Sequence, residues 1–318
     1  MTQKLNKGDS LMWFKQIQIL QLDQSPYTPE SLMSKLEPFA FRPCLPSMLT
    51  SIGWVSPIDE EDEPLVLAMN GYIMLCLQLE EKILPAIVIR QAVTEKIKQI
   101  ELNEARKIRQ KEKLAIKDEM MLTLLPRAFT KISRLYAYID TKKQRLILNT
   151  TNAKKAEQFV MMFKKAITEN VQSFELKKLS PIITHWIKHQ EYPGAFGIEK
   201  KCLLQDPNQQ TRMIRCQDQD LFAGSIQALI KDGCEVKQLA LSWQDRVNFV
   251  LSADDFTISG VRYLEEITSQ AMEMEAETKK QQFIANFFIM TETLTHLFEE
   301  LINVFSNKKA DLSTAKVA

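Results

Sequence analysis

Imidazole is scarce: His185, His189 and His296 are the only histidines. His185 and His189 stand four apart on a helical stretch and could share a metal ion. No cysteine or carboxylate accompanies them at typical zinc-site spacing, and the alternative is a surface pair beside Trp186. The acid pairs Glu80–Glu81, Asp254–Asp255 and Glu265–Glu266 are adjacent in sequence, and adjacent side chains on a helix do not face each other. They read as solvated surface or turn, with Asp254–Asp255 as a hairpin turn. The five cysteines (Cys44, Cys76, Cys202, Cys216, Cys234) are odd in number and widely spaced. Without a C-x-x-C they read as free thiols in a reducing compartment. Only 8 glycines occur in 318 residues, and neither G-x-x-x-x-G-K-[ST] nor G-x-G-x-x-G is present. This argues against a nucleotide-driven motor or a nicotinamide enzyme. No cofactor, metal ligand or catalytic residue is assigned, and a non-enzyme is expected. A metal-dependent DNA-processing enzyme, its carboxylates gathered from distant positions, stays open as an alternative.

The positive signal is charge placement. The 41 Lys+Arg and 40 Asp+Glu give a net +1. Residues 1–81 hold 5 basic and 11 acidic side chains, 82–178 hold 22 and 10, and 179–318 hold 14 and 19. The middle segment is therefore strongly basic. After Pro85, 40 residues pass without Gly or Pro, and Val93, Ile97, Ile100 and Ile108 recur at helical spacing. This predicts one helix from Pro85 to about Lys111, ~40 Å long. It would carry Lys96, Lys98, Arg106, Lys107, Arg109, Lys111 and, just beyond its end, Lys113. Lys117, Arg127, Lys131, Arg134, Lys142, Lys143 and Arg145 follow, then the pairs Lys154–Lys155, Lys164–Lys165 and Lys177–Lys178. Duplex DNA carries about one negative charge per 1.7 Å of axis, so such a helix could face many phosphates. Lysine-rich contacts suit backbone binding rather than base reading. A solvated helix face, or a scaffold for an acidic protein, fits the same residues. In Leu124-Leu125-Pro126-Arg127-Ala128-Phe129, the proline sets Phe129 off a helix end between Arg127 and Lys131. Phe129 is then either a core residue or an apolar knob for a partner subunit.

The elements that position these residues read as α+β, with antiparallel sheets, flanking helices and a protruding long basic helix. A strand is expected in Leu11–Leu20. Thr28–Pro29 caps a helix to about Glu37, and a short strand covers Gly53–Val55. Asn70–Gly71 joins two apolar runs into a hairpin, because both turn residues need positive φ. A second helix is expected at Asp118–Leu125. A hairpin spans 133–150, then come an amphipathic helix Ala153–Thr168, a strand Ser173–Lys178 and a helix Ser180–His189 capped by Ser180. Strands at Lys200–Gln205 and Arg212–Cys216, a helix Asp220–Lys231 and three strands between 235 and 264 precede a long helix, Lys279–Phe305. The expected organisation is 11–84 as an N-terminal α+β part, 85–130 as a basic helical tip, 131–178 as a central α+β region and 179–306 as a C-terminal α+β region. Residues 307–318 read as a disordered tail. No run reaches the ~18–20 apolar residues of a membrane span. The polar N-terminus lacks a secretion signal's apolar core, so a cytoplasmic location is expected.

In order along the chain, several segments resemble the bacterial recombination-associated protein RdgC family. They include Met12-Trp13-Phe14-Lys15, Ala40-Phe41-Arg42-Pro43-Cys44, Gly53-Trp54-Val55-Ser56-Pro57 and Glu80-Glu81-Lys82-Ile83-Leu84-Pro85. Others are Lys117-Asp118-Glu119, Leu124–Phe129, Ala153-Lys154-Lys155-Ala156-Glu157, Leu239-Ala240-Leu241-Ser242-Trp243 and Phe288-Ile289-Met290-Thr291. Their order and spacing over residues 12–305 carry the match. The resemblance implies a nucleoid-associated, non-sequence-specific protein of double-stranded DNA, with single-stranded DNA as a further ligand, acting in recombination and replication. It implies a homodimer closed head-to-head and tail-to-tail into a ring with a positive hole, and restraint of RecA-promoted strand exchange. Phosphate contacts are expected from the basic residues between Lys96 and Lys165 named above, excluding Lys142, Lys143 and Arg145. Arg215 and Gln219 are added more distantly, since Gln217 and Asp218 stand where the family tends to be basic. Leu125, Pro126 and Phe129 are expected at one dimer contact, and a sheet edge at the other. Met1–Leu11 precedes the family's usual start and reads as a tag or alternative start.

Overall fold

A computed structural model describes residues 13–23, 27–60, 63–168, 170–174, 176, 179–209, 211–273 and 276–306. The expectations for Met1–Leu11, Lys177–Lys178 and the tail 307–318 lie outside the described residues. The strands are β1 (Gln16–Leu22), β2 (Thr50–Val55), β3 (Val66–Met69), β4 (Tyr72–Ile83), β5 (Phe129–Asp140), β6 (Arg145–Leu148), β7 (Val171–Ser173), β8 (Phe196–Gln205), β9 (Met213–Gln217), β10 (Glu235–Trp243), β11 (Val247–Ser252) and β12 (Ile258–Tyr263). The helices are α1 (Pro29–Leu36), α2 (Ala86–Glu104), α3 (Gln110–Leu124), α4 (Ala153–Ile167), α5 (Leu179–His189), α6 (Gly224–Lys231), α7 (Glu265–Glu273) and α8 (Lys279–Ser306). The strands join in the order β2-β4-β5-β6-β1-β12-β11-β10-β8-β9, with β3 on β4 and β7 on β1, every pairing antiparallel.

Alternation along the strands divides the core in two. Tyr72, Met74, Cys76, Tyr136 and Tyr138 point to the side covered by α8, whose Phe287, Met290, Leu294, Leu297 and Leu301 are buried against them and the C-terminal strands. Ile73, Leu75, Leu77, Ala137 and Ile139 point to the other side, where α1 and α4 bury Leu32, Leu36, Phe159 and Phe163. Local chemistry fixes the element ends. Thr28 Oγ1 accepts the Ser31 N–H at 3.2 Å to start α1, and Asn152 Oδ1 accepts the Lys155 N–H at 3.1 Å to start α4. Asn70 and Gly71 turn at φ 49° and 86°, the left-handed pair a two-residue hairpin needs.

Four expectations are corrected. The single helix Pro85–Lys111 is two helices: α2 ends at Glu104, Ala105 adopts φ 50°, and α3 starts at Gln110, well before Asp118. Ser180 does not cap α5; it lies inside the helix and its hydroxyl donates to the Val236 carbonyl at 2.9 Å. β7 stops at Ser173, short of the expected strand to Lys178. The segment after β12 forms the unforeseen α7, packed on α8.

Candidate nucleic-acid interface

The twelve-residue β4–β5 ladder runs from Tyr72↔Asp140 to Ile83↔Phe129, and the chain between its outer ends is the α2–α3 hairpin. The two helices pack chiefly on each other, and Lys96 Nζ reaches Glu119 Oε1 across them at 3.7 Å. At their root, Lys82 Nζ donates to the carbonyls of Pro46 (3.0 Å) and Leu125 (2.8 Å).

The turn between the helices is tied by carboxylates. Arg106 Nε donates to Glu104 Oε2 at 2.6 Å, and its two terminal nitrogens donate to Glu112 Oε2 and Oε1 at 2.9 and 2.8 Å. The Arg109 N–H donates to Glu112 Oε2 at 3.1 Å, the back-bond of a capping box at the start of α3. The Ile108 N–H donates to Glu101 Oε1 at 3.1 Å, and Ile108 and Ile116 are buried in the hairpin. The bidentate Arg106 and the Arg109 amide hold the Glu112 carboxyl down at about 2. The same carboxylates raise Arg106 above its ordinary value.

This changes where the positive charge sits. α2 is neutral, with Arg90, Lys96 and Lys98 against Glu95, Glu101 and Glu104. The basic block is the turn and the start of α3. There Lys107, Arg109, Lys111, Lys113 and Lys117 are exposed and form no salt bridge among the described residues. Lys98, Arg127 and Lys131 are also exposed. Arg134 is committed inward: it donates to Gln78 Oε1 and Asp59 Oδ1, each at 2.9 Å. Burial opposes its charge, but bonds to Asp59 and Tyr136 outweigh burial and its pKa is raised. Lys154, Lys155, Lys164 and Lys165 are exposed on α4, opposite its buried Phe159 and Phe163. Alternation along β5 puts Lys131 and Phe129 on the α4 side of the sheet and Arg134 on the other. Arg215 and the adjacent Gln219 are exposed, but β9 is seven strand spacings of ~4.8 Å from β5 in the sheet order. The structure therefore groups the turn cations, sets α4 apart, and leaves Arg215 at the far edge.

Apolar exposure clusters at the same end. Phe129 is 84% exposed, and Ile83, Ile87, Leu102, Leu114, Leu122 and Ile132 are exposed as well. Pro126 is exposed, whereas Leu125 is buried within the chain at 4%. Of these apolar residues the sequence reading singled out Phe129 and its neighbours; the others were missed. For Leu102 the signal was there, since it falls opposite the Val93, Ile97 and Ile100 stripe. At the two sheet ends, β2 is covered by residues 40–42: the Phe41 N–H donates to Trp54 O and Ser51 Oγ to Arg42 O. Among the described residues no strand pairs with the outer side of β9.

Elsewhere, His185 and His189 lie with ring centroids 4.3 Å apart and planes tilted by 34°, and Glu191 Oε2 lies 3.7 Å from His185 Nε2. Among the described residues no three His, Cys, Asp or Glu side chains are placed to hold a metal ion. No helix among them is long and apolar enough to cross a membrane.

A family model described as "Putative exonuclease, RdgC" matches residues 12–308. The recombination-associated protein RdgC of Yersinia enterocolitica is 32% identical over 306 residues, covering 94% of this chain and 99% of its own. The protein of that name from Yersinia pestis strain Pestoides F shows the same identity and coverage.

Proposed function

The chain belongs to the RdgC family, and from that premise we propose that it is a DNA-binding protein that grips duplex phosphates without reading bases. In this reading it is a cytoplasmic, nucleoid-associated homodimer closed into a ring around double-stranded DNA. It limits RecA-promoted strand exchange by occupying the duplex. The observation that carries the reading is the α2–α3 turn, where Lys107, Arg109, Lys111 and Lys113 are exposed while the local acids Glu104 and Glu112 are bound to Arg106. Residues 85–130 act as a tip, held out by β4 and β5. Phe129 and Pro126 meet their counterparts in the second copy, and Leu125 supports them from inside. A two-copy ring needs a second self-complementary contact, and a sheet edge in the N-terminal or C-terminal strands is proposed for it. Lys154, Lys155, Lys164 and Lys165 extend the phosphate-binding surface, and single-stranded DNA binds through the same lysines.

A gel shift of linear against closed-circular duplex over a salt series tests this. Binding of all sequences alike is expected, with log K falling by about 0.9 per decade of salt for each phosphate contacted. Retention on closed circles at salt that releases linear DNA is the signature of encirclement. Affinity flat with salt would remove the electrostatic basis. The family model's description favours a second reading, an exonuclease. Magnesium-dependent release of nucleotides from a labelled duplex end is its diagnostic outcome, and a binding ring gives none.

A further inference from the structure

We propose that Cys202 and Cys216 form a thiol–disulfide modification site, a cross-link made and broken between β8 and the edge strand β9. The two residues are direct partners in the β8–β9 ladder, so their side chains lie on the same face of the sheet. Both are buried, at 5% and 6% exposure, and their thiols are within hydrogen-bonding reach of each other. Opposed residues in an antiparallel pair have Cα atoms ~4.5–5.5 Å apart, inside the 4.4–6.8 Å range that a disulfide spans.

The ladder also says what kind of cross-link this is. The Asp206 N–H donates to the Arg212 carbonyl at 3.1 Å, so that pair is of the hydrogen-bonded type. The register from Lys201 to Gln205 has no shift. Counting back by twos makes Cys202–Cys216 a hydrogen-bonded pair too, the type with the wider Cα spacing. That spacing, ~5.5 Å, lies within the range a disulfide spans, so the paired strands can hold the cross-link in place.

Access comes from the edge. Burial and the neighbouring Cys216 push the Cys202 thiol up to about 12, which leaves little thiolate while the sheet is closed. Among the described residues β9 pairs only with β8, so it is the strand that can peel. When it does, the Cys216 thiolate attacks hydrogen peroxide. An S–O bond forms, the O–O bond breaks, and the departing hydroxide leaves as water. As β9 re-pairs, the Cys202 thiolate attacks the Cys216 sulfenic sulfur; the S–S bond forms, the S–O bond breaks, and a second water leaves. With hydrogen peroxide, two thiols lose two protons and two electrons and the peroxide becomes two waters.

The test uses the reduced full-length protein, graded hydrogen peroxide without denaturant, an alkylating quench and a non-reducing peptide map. The expected product joins the Cys202 and Cys216 peptides, is lighter than the two thiol peptides by two hydrogens, and is reversed by dithiothreitol. Cys202→Ser should leave Cys216 as a sulfenic acid trapped by a dimedone probe. Cys44, half-exposed with its thiol on the Met48 carbonyl, serves as the internal control for ordinary oxidation. Oxidation of Cys44 with Cys202 and Cys216 both still alkylatable overturns the proposal. So does a cross-link that appears only in denaturant.

Discussion

Along the β4–β5 ladder, Tyr72–Leu77 and Tyr136–Asp140 are buried, whereas Glu81–Ile83 and Phe129–Ile132 open to solvent. The backbone pairing is continuous across both halves, so hydrogen bonding does not distinguish them. What differs is what the side chains meet. In the inner half Tyr138 lies among Phe14, Tyr72 and Phe287, with ring centroids 5.6, 5.9 and 6.1 Å away. In the outer half Phe129 and Ile132 meet nothing that buries them, although each matches a core residue in apolar character. An exposed cluster of large apolar groups on a monomer marks an interaction surface. Residue type alone could not separate the two halves; cover does.

The sharpest way to break that contrast is to truncate one aromatic in each half. Tyr138→Ala should cost about 3–5 kcal/mol of folding stability, since it opens a cavity under three rings. Phe129→Ala should change monomer stability by no more than about 0.5 kcal/mol, yet loosen the proposed dimer in sedimentation. If Phe129→Ala lowers the melting temperature as Tyr138→Ala does while the dimer is unchanged, the outer half is core after all.

A smaller effect is expected from charge at the tip. Reversing Lys107, Arg109 and Lys113 to Glu should weaken duplex binding by roughly 10–100-fold at moderate salt. The salt slope should become shallower by about 0.9 for each phosphate that is no longer neutralised. The weakening should be equal on all sequences and stability nearly unaffected, because all three side chains are exposed. Weakening confined to one sequence would instead indicate base readout.

Much of this arrangement was legible from the sequence where the cause is local. Asn70–Gly71, the Thr28 cap and the stripe along α8 each depend on residues within a few positions of one another. The break between α2 and α3 was not legible. No glycine or proline marks it, and Ala105 takes the left-handed conformation. The turn is instead set by Glu101, Glu104 and Glu112 reaching across to Ile108, Arg106 and Arg109, bonds that helical periodicity does not register. The site divides in the same way. The basic residue types in 96–117 were visible, but which of them are free was not. Arg134 is bound to Asp59, 75 positions away, and Arg106 is bound on both sides of its own turn.

The smallest predicted effect tests that turn directly. Glu112 sits at about 2, below its ordinary 4.5, because Arg106 and the Arg109 N–H bond its charged form. A carboxyl depressed on folding contributes stability that is present above its unfolded pKa and lost as pH falls through the folded value. The turn should therefore hold at neutral pH and loosen between about pH 4.5 and 2, while the inner half of the ladder, which relies on packing, keeps its protection. Carboxyl NMR titration should place Glu112 near 2, and in Glu112→Gln the Arg109 amide should exchange faster at neutral pH. Because the group is solvent-exposed, salt should screen part of the effect. An ordinary midpoint for Glu112 together with unchanged Arg109 exchange in Glu112→Gln would mean that burial of Ile108 and Ile116, not the carboxylate clamp, sets the turn. The outer half would then be held by the same force as the inner one.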